Sequence, residues 1–371
     1  MFTSGEPKIK NLTIHIDTGN IIGSKGLPLI YGNQDTLTLL QATVAFESSQ
    51  NCKAKAVEIS FKAVVKTFFH AHDEVSGKYE GEQVFYSKTW ELEVERPKPG
   101  WISKGNYARQ CPVLLDPSLP SSSGDSVYGS MKYIFEARLK GAKGFGITRT
   151  DWIVSQEVWV LNSSLPFSSE IPIDNPISVH MQWKDVLPFS LSVPADTVHF
   201  GQVIPVTIQL GAFKSGSIYE GEEVIVAGAN FKLRELKTFR AMYVKEIYET
   251  SAKLLNISVN TGWPQNKDGW QRTIHLSLPA APEMSADMHT RYLDVVHELD
   301  VVVEFRNNKM HKTEKLRAQL GVQVTAPRFM SLASSPPQYG DGAVHVESLL
   351  LLEPPPAMDP DEPLPSYSRR E

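Results

Sequence analysis

The amino-acid sequence predicts an all-β protein: two β-sandwiches in tandem, followed by an acidic, Pro-rich tail. Three observations predict it. Apolar residues recur at every second position through most of the chain; Gly, Pro, Asn, Asp and Ser cluster between those runs; and the pattern stops after Pro327. Alternation with a period of two puts one face of a strand on a core and the other in water, as in antiparallel sheets.

The runs can be read in order. Val57-Glu58-Ile59-Ser60-Phe61-Lys62-Ala63 alternates, and its pattern continues to Phe69. Met131, Tyr133, Phe135, Ala137 and Leu139 alternate with a set that includes Lys132, Glu136, Arg138 and Lys140. Leu299, Val301, Val303 and Phe305 repeat the pattern, as do Leu316, Ala318, Leu320, Val322 and Val324. Regularly spaced strands with turn signals between them describe sandwiches, not a parallel α/β fold. Persuasive helices are few: Ser103 to Arg109 and Ala286 to Tyr292 could each form a turn or two.

A stretch rich in Ser and Pro from Asn162 to Pro176 interrupts the strands, and proline cannot donate to a sheet ladder. The expected organisation is a sandwich over 1–163, a connector over 164–176, a second sandwich over 177–327 and a disordered tail over 328–371. One large sandwich with a long loop is the alternative. No close sequence repeat relates the two halves.

The chain has 371 residues, 41% hydrophobic and 21% charged, with a formal net charge of −5, so it carries no global basic field to hold nucleic acid. The segment Met1 to Lys8 lacks the basic stretch and apolar core of a signal peptide, and the aliphatic run Leu349 to Leu352 is far short of the ~20 residues of a membrane span. The expectation is therefore a cytoplasmic chain. Cys52 and Cys111, with Trp90 and Trp101 between them, fail the spacing of an immunoglobulin core, because Tyr107 lies four residues before Cys111. Two free, buried thiols are expected. The triplets at Asn11, Asn162 and Asn256 are read as chance matches to a glycosylation signal.

The last 44 residues hold 8 of the 25 prolines, with three basic and seven acidic side chains; their net charge of −4 leaves −1 on everything before them. Such a segment buries too little to recover its ordering entropy. It contains Pro336-Pro337-Gln338-Tyr339 and Leu364-Pro365-Ser366-Tyr367, which fit the two forms of the PY motif recognised by WW domains. A polyproline II segment is extended before it binds, so docking on an aromatic groove costs little entropy. With three residues per turn, Tyr339 projects on the side of Pro336, and Tyr367 on the side of Leu364. The expected WW-binding residues are Pro336, Pro337, Tyr339, Leu364, Pro365 and Tyr367, and two copies allow avidity across a roughly 25-residue linker.

Other motifs carry less. His70-Ala71-His72-Asp73-Glu74 could begin a metal site, but no third ligand at zinc-like spacing follows, and a solvated strand end is preferred. Gly141-Ala142-Lys143-Gly144-Phe145-Gly146 lies between two strands and opens no helix, so it is read as a hairpin turn, not a phosphate loop. Serine nucleophile elbows, His-Glu-x-x-His and Cys-x-x-Cys are absent. No cofactor or metal is expected, and no enzyme.

Several segments resemble the α-arrestins, the arrestin-related trafficking adaptors. In the first half these are Pro112-Val113-Leu114-Leu115, Leu119-Pro120-Ser121, Gly129-Ser130-Met131-Lys132-Tyr133 and Ala137-Arg138-Leu139. In the second they are Val193-Pro194, Gly201-Gln202-Val203-Ile204-Pro205-Val206, Leu278-Pro279 and Val296-His297-Glu298-Leu299-Asp300-Val301. Their order and spacing carry the resemblance, which covers about 1–327 and extends to the tail motifs. It assigns no residues to the buried polar core described for visual arrestins.

The resemblance implies two arrestin-like antiparallel sandwiches in a non-catalytic cytosolic adaptor. The body would engage a membrane transporter or receptor, and the tail would recruit a HECT-type ubiquitin ligase through its WW domains. Ubiquitination of the cargo would then lead to endocytosis or endosomal sorting, with membrane association peripheral only. A retromer-type sorting coat subunit and an extracellular adhesion sandwich are the alternatives.

Overall fold

A computed structural model describes residues 9–17, 26–32, 37–70, 78–124, 127–143, 150–162, 176–195, 197–242, 247–264, 268–281 and 283–326. Ten strands precede residue 163. They are β1 (Ile9–Asp17), β2 (Leu29–Gly32), β3 (Thr38–Ser48), β4 (Cys52–Lys53), β5 (Val57–His70), β6 (Lys78–Glu91), β7 (Trp101–Ile102), β8 (Gly105–Leu115), β9 (Gly129–Lys143) and β10 (Thr150–Asn162). Ten more follow residue 176. They are β11 (Ile177–Trp183), β12 (Leu187–Val193), β13 (Thr197–His199), β14 (Val203–Gly211), β15 (Ile225–Arg240), β16 (Ile247–Val259), β17 (Gly269–Ser277), β18 (Met288–His289), β19 (Leu293–Arg306) and β20 (Glu314–Thr325).

The first ten form a three-stranded sheet of order β1-β3-β8, a five-stranded sheet of order β2-β10-β9-β5-β6, and the small β4-β7 ribbon. The second ten form a sheet of order β11-β12-β14-β17 and another of order β13-β20-β19-β15-β16, with β18 alongside β19. The larger sheets share one plan. In each, a short strand runs parallel to the last long strand (β2 beside β10, β13 beside β20), and the remaining pairs are antiparallel. The larger sheets of the two halves thus repeat a topology without a close repeat of sequence. The two parallel pairs depart from the purely antiparallel expectation, because their partners are more than a hundred residues apart and local patterning does not register such a pairing.

Alternation explains the layers. Val57, Ile59, Phe61 and Ala63 are fully buried while Lys62 between them is exposed. Tyr133, Phe135, Ala137 and Leu139 of β9 face the same core, where the Phe61 and Phe135 rings approach to 4.6 Å. Each such aromatic contributes roughly 2–3 kcal/mol by leaving water. A second core gathers around Phe231, Leu299, Val301 and Phe305. The first core also takes in Phe239, Leu293 and Val295 from the second half, so apolar packing is continuous across the junction.

Among the described residues there is no helix. Ser103 to Arg109 leads into and along β8, where Tyr107 and Ala108 pair with Phe46 and Ala45 of β3. Ala286 to Tyr292 includes the two-residue strand β18 on the edge of β19. Pairing with a distant strand overrides the weak helical tendency of both segments. Of the connector, only Pro176 is among the described residues, and the tail 328–371 lies outside them.

Candidate functional site at the junction of the halves

A strap of small residues prepares the junction. From Leu119 to Gly124 the chain runs beside β9 and β10, with serine hydroxyls serving as substitutes for backbone groups. Ser122 Oγ accepts the Val160 amide at 2.9 Å, and Ser123 Oγ accepts the Met131 amide at 2.8 Å. Ser121 Oγ accepts the amide of Asn162 at 2.9 Å, while the Asn162 side chain donates to the Leu119 carbonyl at 2.6 Å. Tyr133 Oη donates to the Pro120 carbonyl at 2.5 Å. The three serines and Asn162 are buried, so each bond also removes the cost of an unsatisfied polar group. Asn162 is thereby committed to the interior and is no glycan acceptor.

The strap ends at a buried cluster of charge. Glu235 and His297 are cross-strand partners on the inner faces of β15 and β19. His297 Nδ1 faces Asp287 Oδ1 at 2.5 Å, and its Nε2 lies 3.5 Å from Glu235 Oε2, an ion-pair distance without hydrogen-bond geometry. Lys237 Nζ reaches Glu235 Oε1 at 2.9 Å. The Ser285 amide donates to Glu235 Oε2 at 2.7 Å. Two bonds then reach the strap: the Gly124 amide donates to Ser285 Oγ at 3.2 Å, and Lys237 Nζ donates to the Gly124 carbonyl at 3.4 Å.

Burial alone would raise the Glu235 carboxyl, but the nearby His297 ring, the Lys237 charge and the Ser285 amide pull it down to about 2. Burial would lower His297, yet the Asp287 bond and the Glu235 carboxylate hold it above its ordinary value. With His297 protonated, two cations balance two carboxylates. The group is electroneutral and its carboxylates are hydrogen-bonded, the condition under which buried charge is tolerated. The His297 side chain is fully enclosed. Through Gly124 the cluster ties the second half to the strap of the first.

Near this seam lies a group of exposed apolar side chains: Phe68, Val127, Met242 and Ile247, the exposure of Val127 reaching 70%. Hydrogen bonds of these residues and their chain neighbours link the segments. Phe68 donates its amide to the Tyr128 carbonyl at 2.8 Å, and Met242 donates to the Glu80 carbonyl at 3.1 Å. Tyr248, next to Ile247, donates its hydroxyl to that of Tyr128 at 2.6 Å. Thr67 Oγ1 donates to the Arg240 carbonyl at 2.5 Å, joining β5 to the end of β15. Clustered exposed apolar side chains are characteristic of protein-binding surfaces.

The residues expected to bind WW domains, Pro336, Pro337, Tyr339, Leu364, Pro365 and Tyr367, lie outside the described residues. So do residues 71–74 of the histidine segment and 144–149 of the glycine segment. Gly141 is described and departs from the hairpin-turn expectation: β9 runs through it to Lys143, its φ of 67° lies beside the register shift opposite Thr150 and Trp152, and its amide is held by Asp151 Oδ1 at 2.9 Å. Cys52 and Cys111 are buried and unpaired, and burial pushes the Cys111 thiol up to about 11, which makes it unreactive. Tyr107 still makes a bond of tyrosine-corner type, donating to the Ser103 carbonyl four residues upstream at 3.1 Å. The buried charge cluster was missed from sequence, although Glu235 and Lys237 hold the core phase of β15 between Leu233 and Phe239.

The second half of the chain is similar to an arrestin domain. Residues 183–329 match the family described as Arrestin (or S-antigen), C-terminal domain. Arrestin domains are binding modules, not enzymes. Three relatives are similar over most of this chain. "Probable HECT-type ubiquitin ligase-interacting protein creD" of Aspergillus clavatus is 24% identical over 296 residues, covering 74% of this chain and 46% of the relative. "HECT-type ubiquitin ligase-interacting protein creD" of Emericella nidulans is 25% identical over 291 residues, covering 74% and 47%. The Neosartorya fischeri protein described as "Probable HECT-type ubiquitin ligase-interacting protein creD" is 25% identical over 290 residues, covering 74% and 46%. The chain spans about half the length of the curated relatives it matches.

Proposed function

We propose that this chain is a cytoplasmic trafficking adaptor that brings a HECT-type ubiquitin ligase to membrane cargo. The observation that carries the reading is the pair of PY tetrapeptides, Pro336 to Tyr339 and Leu364 to Tyr367, in one acidic, Pro-rich tail. The relatives support it, since they are described as HECT-type ubiquitin ligase-interacting proteins. On this reading the domains are 1–163, a connector 164–176, 177–327 and the tail 328–371.

The two parts divide the work. The tail binds WW domains of the ligase, and the body engages a transporter or receptor. The exposed apolar cluster of Phe68, Val127, Met242 and Ile247 is the described surface best suited to that contact. No chemistry is asked of the adaptor itself. It raises the effective concentration of ligase beside cargo lysines, and the cargo is then ubiquitinated and enters endocytosis or endosomal sorting.

Proximity labelling in cells tests the division of labour. The full chain labels both a HECT ligase and membrane transporters or receptors, and the Tyr339→Ala/Tyr367→Ala variant loses the ligase but keeps the cargo. Ligase labelling that survives the double substitution contradicts the reading.

A further inference from the structure

Segments around the β4-β7 ribbon converge on Trp101. Lys53 pairs with Trp101 across the ribbon, and the Ala54 amide donates to the Gly100 carbonyl at 3.1 Å. The Trp101 amide closes a turn on the Lys98 carbonyl at 3.1 Å, with Gly100 at φ 73°. The Lys55 amide donates to the Lys140 carbonyl at 2.9 Å, which brings the end of β9 to the same place. Arg96 donates to the Lys55 carbonyl at 2.7 Å, and the Lys104 amide donates to Asn51 Oδ1 at 2.9 Å.

The half-buried indole of Trp101 is thus surrounded by cations. Lys98 Nζ stands 4.3 Å from its ring centroid and Lys53 Nζ 5.7 Å. Lys55 and Lys104 are exposed nearby. Arg96 and Lys140 are balanced by Glu91 and Glu58, at 3.5 and 2.9 Å. Lys55, Lys98 and Lys104 form no ion pair among the described residues, while Glu93 and Glu95 are the remaining carboxylates of the segment. The end is locally cationic on a chain whose net charge is −5.

We propose that this Lys–Trp end docks on an anionic lipid surface. An aromatic ring flanked by ammonium groups fits the headgroup layer, where the indole occupies the interface and the lysines meet phosphates. The cations stand on separate chain segments around one ring, which suits a surface better than an extended peptide. Because the chain as a whole carries a net charge of −5, attraction of this cationic end to an anionic membrane favours one orientation. The tail tyrosines take no part, and the inference stands apart from the ligase reading.

Flotation of the full chain with vesicles tests it. The full chain floats with phosphatidylcholine vesicles containing about a third phosphatidylserine, and not with pure phosphatidylcholine; added salt weakens the binding. Each lysine near such a surface is worth roughly fivefold in affinity, so the Lys55→Gln/Lys98→Gln/Lys104→Gln variant binds about 100-fold more weakly. These side chains are exposed, and an unchanged melting temperature verifies the fold. The Tyr339→Ala/Tyr367→Ala variant floats like wild type. Failure of the full chain to prefer the anionic vesicles overturns the proposal. So does a triple variant that keeps wild-type binding, or lysine-dependent capture of an acidic phosphopeptide without vesicle binding.

Discussion

His297 Nδ1 stands 2.5 Å from Asp287 Oδ1, inside a protein whose core is otherwise almost wholly apolar. The contact joins β19 to the segment ahead of β18, and Asp287 is itself tied down, its Oδ1 accepting the Val324 amide at 3.2 Å. Through Glu235, Lys237 and Ser285 the same network reaches Gly124 in the first half. One charge-balanced cluster therefore spans the junction between the two halves.

The cluster makes stability depend on pH in a stated direction. The folded pKa of His297 is raised above 6.5, so its contribution is complete below pH 6.5 and is lost as pH rises through the folded value. Glu235 behaves oppositely: its contribution is complete above its ordinary 4.5 and disappears as pH falls toward about 2. Thermal melts across pH check both. Between pH 6 and 8 the melting temperature of wild type falls relative to that of His297→Gln; parallel curves contradict the assignment.

Removing two partners of the cluster costs less than the sum of removing each. Lys237→Met leaves a buried carboxylate short of a cation and costs about 3 kcal/mol, and Glu235→Gln costs a similar amount. The double variant is destabilised by less than the sum, as urea melts arranged in a double-mutant cycle would reveal. Additive losses mean that the two side chains act independently.

Gly129 begins β9 at φ 148°, and a Cβ there would meet the Lys66 carbonyl oxygen at 2.4 Å and Thr67 Cα at 2.9 Å. Those are backbone atoms of β5 and cannot swing aside. Gly129→Ala is expected to lower stability by about 3 kcal/mol, through both strain and displaced strands. Denaturant melts measure it, and a change within about 0.5 kcal/mol refutes the close approach.

Much of the architecture was legible because inner positions are apolar and outer ones polar. This holds for Val57 to Ala63 of β5 and Leu293 to Phe305 of β19. The first part of β8 was hidden: Gly105 to Gln110 carry mainly small and polar residues, and their strand geometry comes from pairing with β3. The junction was hidden for a related reason. Glu235 and Lys237 interrupt a core-facing phase, a signal that charge is buried there, but their partners Ser285 and Gly124 come from segments far along the chain. Local periodicity registers strands well; it does not register which distant turn covers them. The tail tetrapeptides lie outside the described residues, and their reading rests on sequence alone, since a short extended motif carries its recognition chemistry without a fold.

The affinity of the full chain for a tandem WW-domain protein tests the central claim most directly. The wild-type chain binds through both motifs, and Tyr339→Ala or Tyr367→Ala alone loses roughly tenfold or more as avidity is lost. The double variant loses measurable binding. Equal binding by wild type and the double variant, or no binding by either, contradicts the account.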